Sequence, residues 1–164
     1  MQPTALPLAA IPTAPLPKCG EGFVLHRGGC HCGDVRFEFC GGTDLQAWDC
    51  NCSVCAMRKN IHVMVPADRF RLLTDAAAAT LTQYTFGTHT ARHLFCKRCG
   101  ITAFYIPRSN PDGFGVTAAC IDQGTVRSLE VCAFDGVHWE EEYAKTGIAA
   151  QTATVQGATR TGRG

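Results

Sequence analysis

The alternation of apolar and polar positions along this chain points to strands. Val35, Phe37 and Phe39 alternate with Arg36 and Glu38, the period of two of a half-buried strand. Thr82, Tyr84 and Phe86 fall on one face of a second run, with Gln83 opposite. Residues 61–65 read as a strand stopped by Pro66, and 91–95, 101–106, 115–121 and 127–134 continue the pattern. Residues 107–113 carry Pro, Asn, Asp and Gly together and read as a loop. One short helix is expected near the C-terminus at 137–144, and a single helical turn at 66–69. Many short strands separated by turn signals predict a mostly β protein with a complex folded sheet, not a βαβ fold.

Composition sets the limits of that domain. The segment 1–18 is rich in Pro, Ala and Leu and reads as flexible, as does the Gly/Thr/Ala-rich tail 146–164. The folded domain is expected at 19–145. A net charge of +1 gives no field that would draw nucleic acid, and no apolar stretch is long enough to span a membrane. The N-terminus has no basic residue before Lys18 and prolines interrupt its apolar run, unlike a secretory signal or transit peptide. A cytoplasmic, reducing setting follows as the expectation.

Eleven cysteines change the picture. They imply either a disulfide framework or metal ligation, and a reducing setting favours metal. Seven fall into clusters: Cys30 and Cys32; Cys50, Cys52 and Cys55; Cys96 and Cys99 followed by Gly100. The C-x-x-C-Gly spacing is a zinc-knuckle spacing, with a glycine able to take positive φ after the second ligand. A structural zinc needs four ligands, so a second pair must join it. Cys30 and Cys32, two apart on an extended segment, project to one face and complete a four-thiolate site. The middle trio then supplies three ligands to a second zinc, leaving one open position, the usual arrangement of a catalytic site. Two zincs per chain are expected. Cys19, Cys40, Cys120 and Cys132 stand alone and read as packing residues or exposed thiols.

These motifs carry a resemblance. Arg27-Gly-Gly-Cys-His-Cys-Gly-Asp-Val-Arg-Phe37, Cys50-Asn-Cys-Ser-Val-Cys55 and Arg92-His-Leu-Phe-Cys-Lys-Arg-Cys-Gly100 resemble the glutathione-dependent formaldehyde-activating enzyme and centromere protein V family. The likeness spans about residues 25–143. It implies a β-tent-like sheet stapled by zinc, with Cys30, Cys32, Cys96 and Cys99 structural and Cys50, Cys52 and Cys55 at a catalytic-type zinc. The stretch 105–113 looks like the centromere protein V branch. That protein's long basic N-terminal arm is here replaced by an uncharged Pro/Ala segment, which argues against a chromosome or microtubule role.

Other residues can serve such a site. His62 and His93 are candidates for a general base or proton relay, beside the plainer reading of ordinary strand histidines. Arg58, Lys59 and Arg108 are candidates to hold substrate carboxylates, beside the plainer reading of solvated surface charges. His31 should point away from its flanking ligands. Gly28 and Gly29 read as permitting a turn before Cys30. The expected function is a carbon–sulfur lyase-type enzyme acting on a small thiol adduct, such as glutathione plus formaldehyde giving S-hydroxymethylglutathione. The alternative is a non-catalytic zinc-stapled interaction module. A thiol redox or metal-buffering role for the trio is the third reading.

Overall fold

The computed structural model describes residues 11–74 and 77–152. Its strands are β1 (Val24–Gly29), β2 (Arg36–Gly41), β3 (Asp44–Cys50), β4 (Ile61–Pro66), β5 (Phe70–Leu72), β6 (Leu81–Tyr84), β7 (His93–Cys96), β8 (Phe104–Tyr105), β9 (Gly113–Thr117) and β10 (Ser128–Phe134). The helices are α1 (Ser53–Arg58), α2 (Ala77–Thr80) and α3 (Trp139–Thr146). The protein is mostly β, as its alternating pattern predicts.

Three sheets share the strands. One has the order β1-β2-β5, the largest β10-β3-β4-β9-β8, and the smallest β6-β7. All pairs are antiparallel except β10 with β3, which run parallel with Phe134 beside Cys50. That pairing joins positions more than eighty residues apart in sequence, and no local pattern encodes it.

Several boundaries moved for identifiable reasons. The run 101–106 yields only the two-residue β8, because the Cys96 amide donates to the Ile101 carbonyl and folds the chain back before it. The run 115–121 ends as strand at Thr117 and turns through a 3-10 segment at Ala118–Cys120. The C-terminal helix starts at Trp139 and ends against Gly147, whose φ of 62° suits a helix C-terminus. The turn expected at 66–69 forms as a 3-10 helix over Ala67–Arg69. The short helices α1 and α2 come in addition to the one expected.

Two apolar clusters organise the interior. The larger holds Phe37, Phe39, Phe70, Phe104 and Phe114, with the rings of Phe70 and Phe114 stacked at 4.2 Å. Cys30 and Cys96 belong to it. The smaller gathers Trp48, Cys50, Cys55, Met64, Phe134 and Ile148. Ile11 is buried in the larger cluster and Ile148 in the smaller, so packing continues on both sides of 19–145.

Two readings of the sequence are corrected here. Cys19 and Cys40 are not separate packing residues or free thiols: they form a disulfide, with Cα atoms 5.5 Å apart. Cys40 lies in β2 opposite Leu25 of β1, and Cys19 just precedes β1, so the hairpin itself brings the two together. Gly28 and Gly29 do not make the turn before Cys30. They end β1, and a side chain at Gly28 would run into the Cys120 carbonyl and the Phe37 ring. Their role is close approach, and the positive φ of this turn falls at Gly33 (84°).

Candidate functional site

The first cysteine group is closed. Cys30, Cys32, Cys96 and Cys99 place their sulfurs within 4.8 Å of one another. The Cys30–Cys32 and Cys32–Cys96 sulfur separations are 3.5 and 3.6 Å. Tetrahedral zinc with arms of about 2.3 Å would hold its sulfurs about 3.8 Å apart, so the donor set fits. The Cys30–Cys32 pair does not use an extended strand, as spacing alone suggested. It lies in the turn between β1 and β2, closed by hydrogen bonds from Gly33 N to Cys30 O and from Cys30 N to Val35 O. The Val35 amide also donates to the Cys30 sulfur at 3.3 Å. The knuckle 96–100 closes with Gly100 at φ 73°, its amide donating to the Cys96 carbonyl. His31, between two cysteines of this group, is exposed.

The second group is a trio. Cys50 ends β3, Cys52 caps the start of α1 and Cys55 sits in its first turn. Their sulfurs lie within 4.8 Å of one another, and no fourth Cys, His, Asp or Glu joins them among the described residues. Hydrogen bonds from Cys50 and Cys55 push the Cys52 thiol well below the ordinary thiol range, with the Cys55 and Val54 amides adding to the effect. The same contacts, with burial, push Cys55 far above it. Three crowded sulfurs that cannot all ionise alone are a donor set suited to a cation. Gly136 closes the trio from outside: a Cβ there would lie 2.5 Å from the Cys50 sulfur and 2.7 Å from the Cys52 Cβ. Nothing in the motif spacing flagged this glycine, which lies more than eighty residues on.

The trio forms the floor of a cavity of about 210 Å³. Its walls are largely apolar, with Met64, Phe86, Phe134 and Trp139 among them. His62 and His93, singled out from sequence, both line it, and so does Arg108. Tyr105, which the sequence did not single out as functional, lies between the two histidines. Its hydroxyl is 2.9 Å from His62 Nε2, and its ring stacks on His93 at 5.3 Å. His62 Nδ1 faces the Asn60 carbonyl at 3.4 Å. A carbonyl only accepts, so Nδ1 carries the proton and Nε2 accepts from Tyr105. Burial pushes the His62 imidazole down to about 4. Burial, helped by the Arg58 charge, pushes His93 down to about 4 as well. Both rings are therefore neutral near pH 7. His93 Nε2 is buried with no partner among the described residues.

The arginines separate. Arg108 reaches the trio's cavity, donates to Glu140 Oε1 at 2.7 Å and lies over the Trp139 ring at 3.7 Å. Arg58 bonds Thr102 Oγ1 at 3.1 Å, lies over Phe95 and, with Lys59, lines a different hollow. No helix among the described residues is long and apolar enough to cross a membrane.

Comparison with known proteins agrees with this arrangement. A crystal structure of a Rhodobacter sphaeroides protein, a structural genomics target, superposes with a TM-score of 0.53 at 34% identity, over 63% of this chain and 98% of that one. The sequence model of the family described as glutathione-dependent formaldehyde-activating enzyme matches residues 25–134, a span that begins in β1, ends with β10 and contains all seven clustered cysteines. With well over half of its length matched, this chain belongs to the glutathione-dependent formaldehyde-activating enzyme family.

Proposed function

We propose that this protein is a zinc-dependent enzyme of the carbon–sulfur lyase type, joining a small thiol to an aldehyde such as formaldehyde or reversing that addition. The observation that carries this reading is the contrast in ligand count: four sulfurs in one group, and three at the floor of a cavity in the other. Cys30, Cys32, Cys96 and Cys99 would hold a structural zinc, and Cys50, Cys52 and Cys55 a second. A zinc held by the trio would supply a soft Lewis acid that lowers the pKa of a nearby thiol.

The chain's own residues do the rest. The apolar walls exclude water, which otherwise competes for the aldehyde. In the addition, the thiol sulfur forms a bond to the carbonyl carbon. The carbonyl π bond breaks, and the proton lost by the thiol ends on the oxygen. His93 Nε2, buried and unpartnered, is the group proposed to hydrogen-bond that oxygen. Tyr105 and the Asn60 carbonyl fix the tautomer of His62, whose proposed role is to hold this wall of aromatic rings in register. Arg108 Nε is also buried without a partner among the described residues and offers one donor to the substrate. Arg58 lines another hollow and acts here only through its charge on His93. Glutathione is the thiol that the family's description names.

The test is adduct formation followed by proton NMR on protein purified with its metal. Turnover that vanishes in Cys52→Ser, with the fold and one zinc retained, supports the enzyme. Equal product with and without protein sinks it and leaves the zinc-stapled interaction module of the centromere protein V type.

A further inference from the structure

We infer that the thiol bound beside the trio carries a flat, apolar, largely uncharged body, and is a poorer match to glutathione than to an aromatic thiol. This rests on the thiol chemistry proposed above and concerns what recognises the remainder of the molecule.

Three independent features of the cavity lead there. The first is a ladder of rings. Tyr84 stacks on Phe86 at 5.8 Å and 19°, Phe86 on His93 at 5.5 Å and 23°, and His93 on Tyr105 at 5.3 Å and 8°. Tyr84 and Phe86 are 51% and 37% exposed, whereas His93 and Tyr105 are buried. The ladder therefore runs from solvent into the cavity wall. Of these rings Phe86, His93 and Tyr105 line the cavity, with Tyr84 outside it, so a guest there meets an aromatic wall that favours an apolar, ring-bearing body. A turn holds the ladder in place: the His89 amide donates to the Phe86 carbonyl, and Thr85 Oγ1 meets His89 Nδ1 at 2.9 Å. Gly87 and His89 take positive φ there.

The second feature is the part of the lining around Trp139. Trp139 stacks on Tyr143 at 4.6 Å and receives the Arg108 guanidinium on its ring. Met64, Val54, Phe134 and Ile148 complete an apolar lining between Trp139 and the trio. A flexible thioether among aromatic walls suits an apolar guest.

The third feature is the charge inventory. Glutathione brings two carboxylates and an ammonium, and each costs free energy on leaving water unless it is paired. Among the described residues lining this cavity there is one cation, Arg108, and no carboxylate. Glu140 already pairs with Arg108, which in turn holds the Glu140 carboxyl below its usual range. Arg58 and Lys59, the nearest rival cations in sequence to the trio, face another hollow. Arg108 is thus a single, already paired cation for two carboxylates, and its Nε is a buried donor without a partner among the described residues.

The probes are phenylmethanethiol, its oxygen counterpart phenylmethanol, and glutathione, each titrated calorimetrically into the zinc-loaded full chain. Phenylmethanethiol is expected to bind about tenfold or more tighter than glutathione. In Phe86→Ala, whose parent side chain is part exposed so that the fold is kept, its affinity falls about tenfold and that of glutathione falls less. Glutathione binding as tightly as phenylmethanethiol overturns the inference while leaving thiol chemistry intact. Unchanged phenylmethanethiol affinity in both Phe86→Ala and Trp139→Ala overturns it as well. Phenylmethanol binding as tightly as the thiol sinks the sulfur-directed function instead, with recognition of the flat body still standing. Binding of neither thiol overturns both.

Discussion

The two cysteine groups use the same ligand atom in two different settings. The quartet joins two tight turns, 30–35 and 96–100, to the large phenylalanine core, and two of its sulfurs are part of that core. The trio is strung along one short stretch, from the end of β3 into α1, and is packed in the smaller cluster at the base of a cavity. A metal at the quartet closes a loop of more than sixty residues, whereas one at the trio closes only a few. Loop-closure cost grows with loop length, so a metal at the quartet would stabilise the fold more than one at the trio. Cysteine spacing along the chain, more than ligand type, would then set the two groups apart.

The largest effect should separate the two groups outright. Cys96→Ser removes a buried ligand from the quartet and is expected to abolish cooperative unfolding, read by circular dichroism during heating, since structural zinc is worth on the order of 10 kcal/mol in small domains. Cys52→Ser should melt cooperatively and retain one zinc by native mass spectrometry. If Cys52→Ser unfolds as completely as Cys96→Ser, the division fails.

Gly136→Ala sharpens the comparison from the trio's side. The added Cβ meets Cys50 and Cys52 and touches nothing of the quartet. A cost of about 1–3 kcal/mol is expected, together with loss of one zinc of two. Retention of both metals by this variant would show that the trio relaxes around the methyl group.

Tyr105→Phe probes the wall between the histidines. It removes the hydroxyl from His62 Nε2 and leaves a buried acceptor unpaired, at about 1–3 kcal/mol. Chemical denaturation should show this with both zincs bound; a change in zinc count would mean that the ring pair shapes the trio directly.

The smallest effect concerns pH and a region away from both groups. His26 is buried and bonded to Thr125 Oγ1 at 2.7 Å and the Gly42 carbonyl at 2.9 Å. Burial lowers its pKa from 6.5. Its neutral form is favoured on folding, so its contribution is fully present above about pH 6.5 and is lost as pH falls through the depressed folded value. The urea midpoint should drop between about pH 7.5 and about pH 5 in the zinc-loaded protein, and drop less in His26→Gln. Equal drops would assign the acid sensitivity to the thiolates instead.

Much of this protein is readable without coordinates. The strand periodicity at 35–39 and 61–65 follows from alternation of side chains across a pleat, a local rule that survives tertiary context. The cysteine clusters follow from spacing, because C-x-x-C and C-x-C restrict where sulfurs can point, while the fold brings Cys30 and Cys32 to Cys96 and Cys99. β3, β1 and α1 were not foreseen. Leu45 and Trp48 do not alternate in the simple period, and the six residues of α1 are too few to show a helical one. Arg58 and Arg108 are equivalent in sequence, as two arginines near motifs, and only the folded chain sends one to the trio and the other away.

The amino-acid sequence by itself determined the mostly β class, the family, and the three cysteine clusters, because each rests on short-range spacing. The tertiary structure alone decided that Cys19 meets Cys40, that Gly136 seals the trio, that Tyr105 lies between two histidines, and that the cavity is apolar with one paired cation. Each depends on strands meeting across a fold, most of them separated by tens of residues, and long-range contacts leave no periodic trace in a single chain.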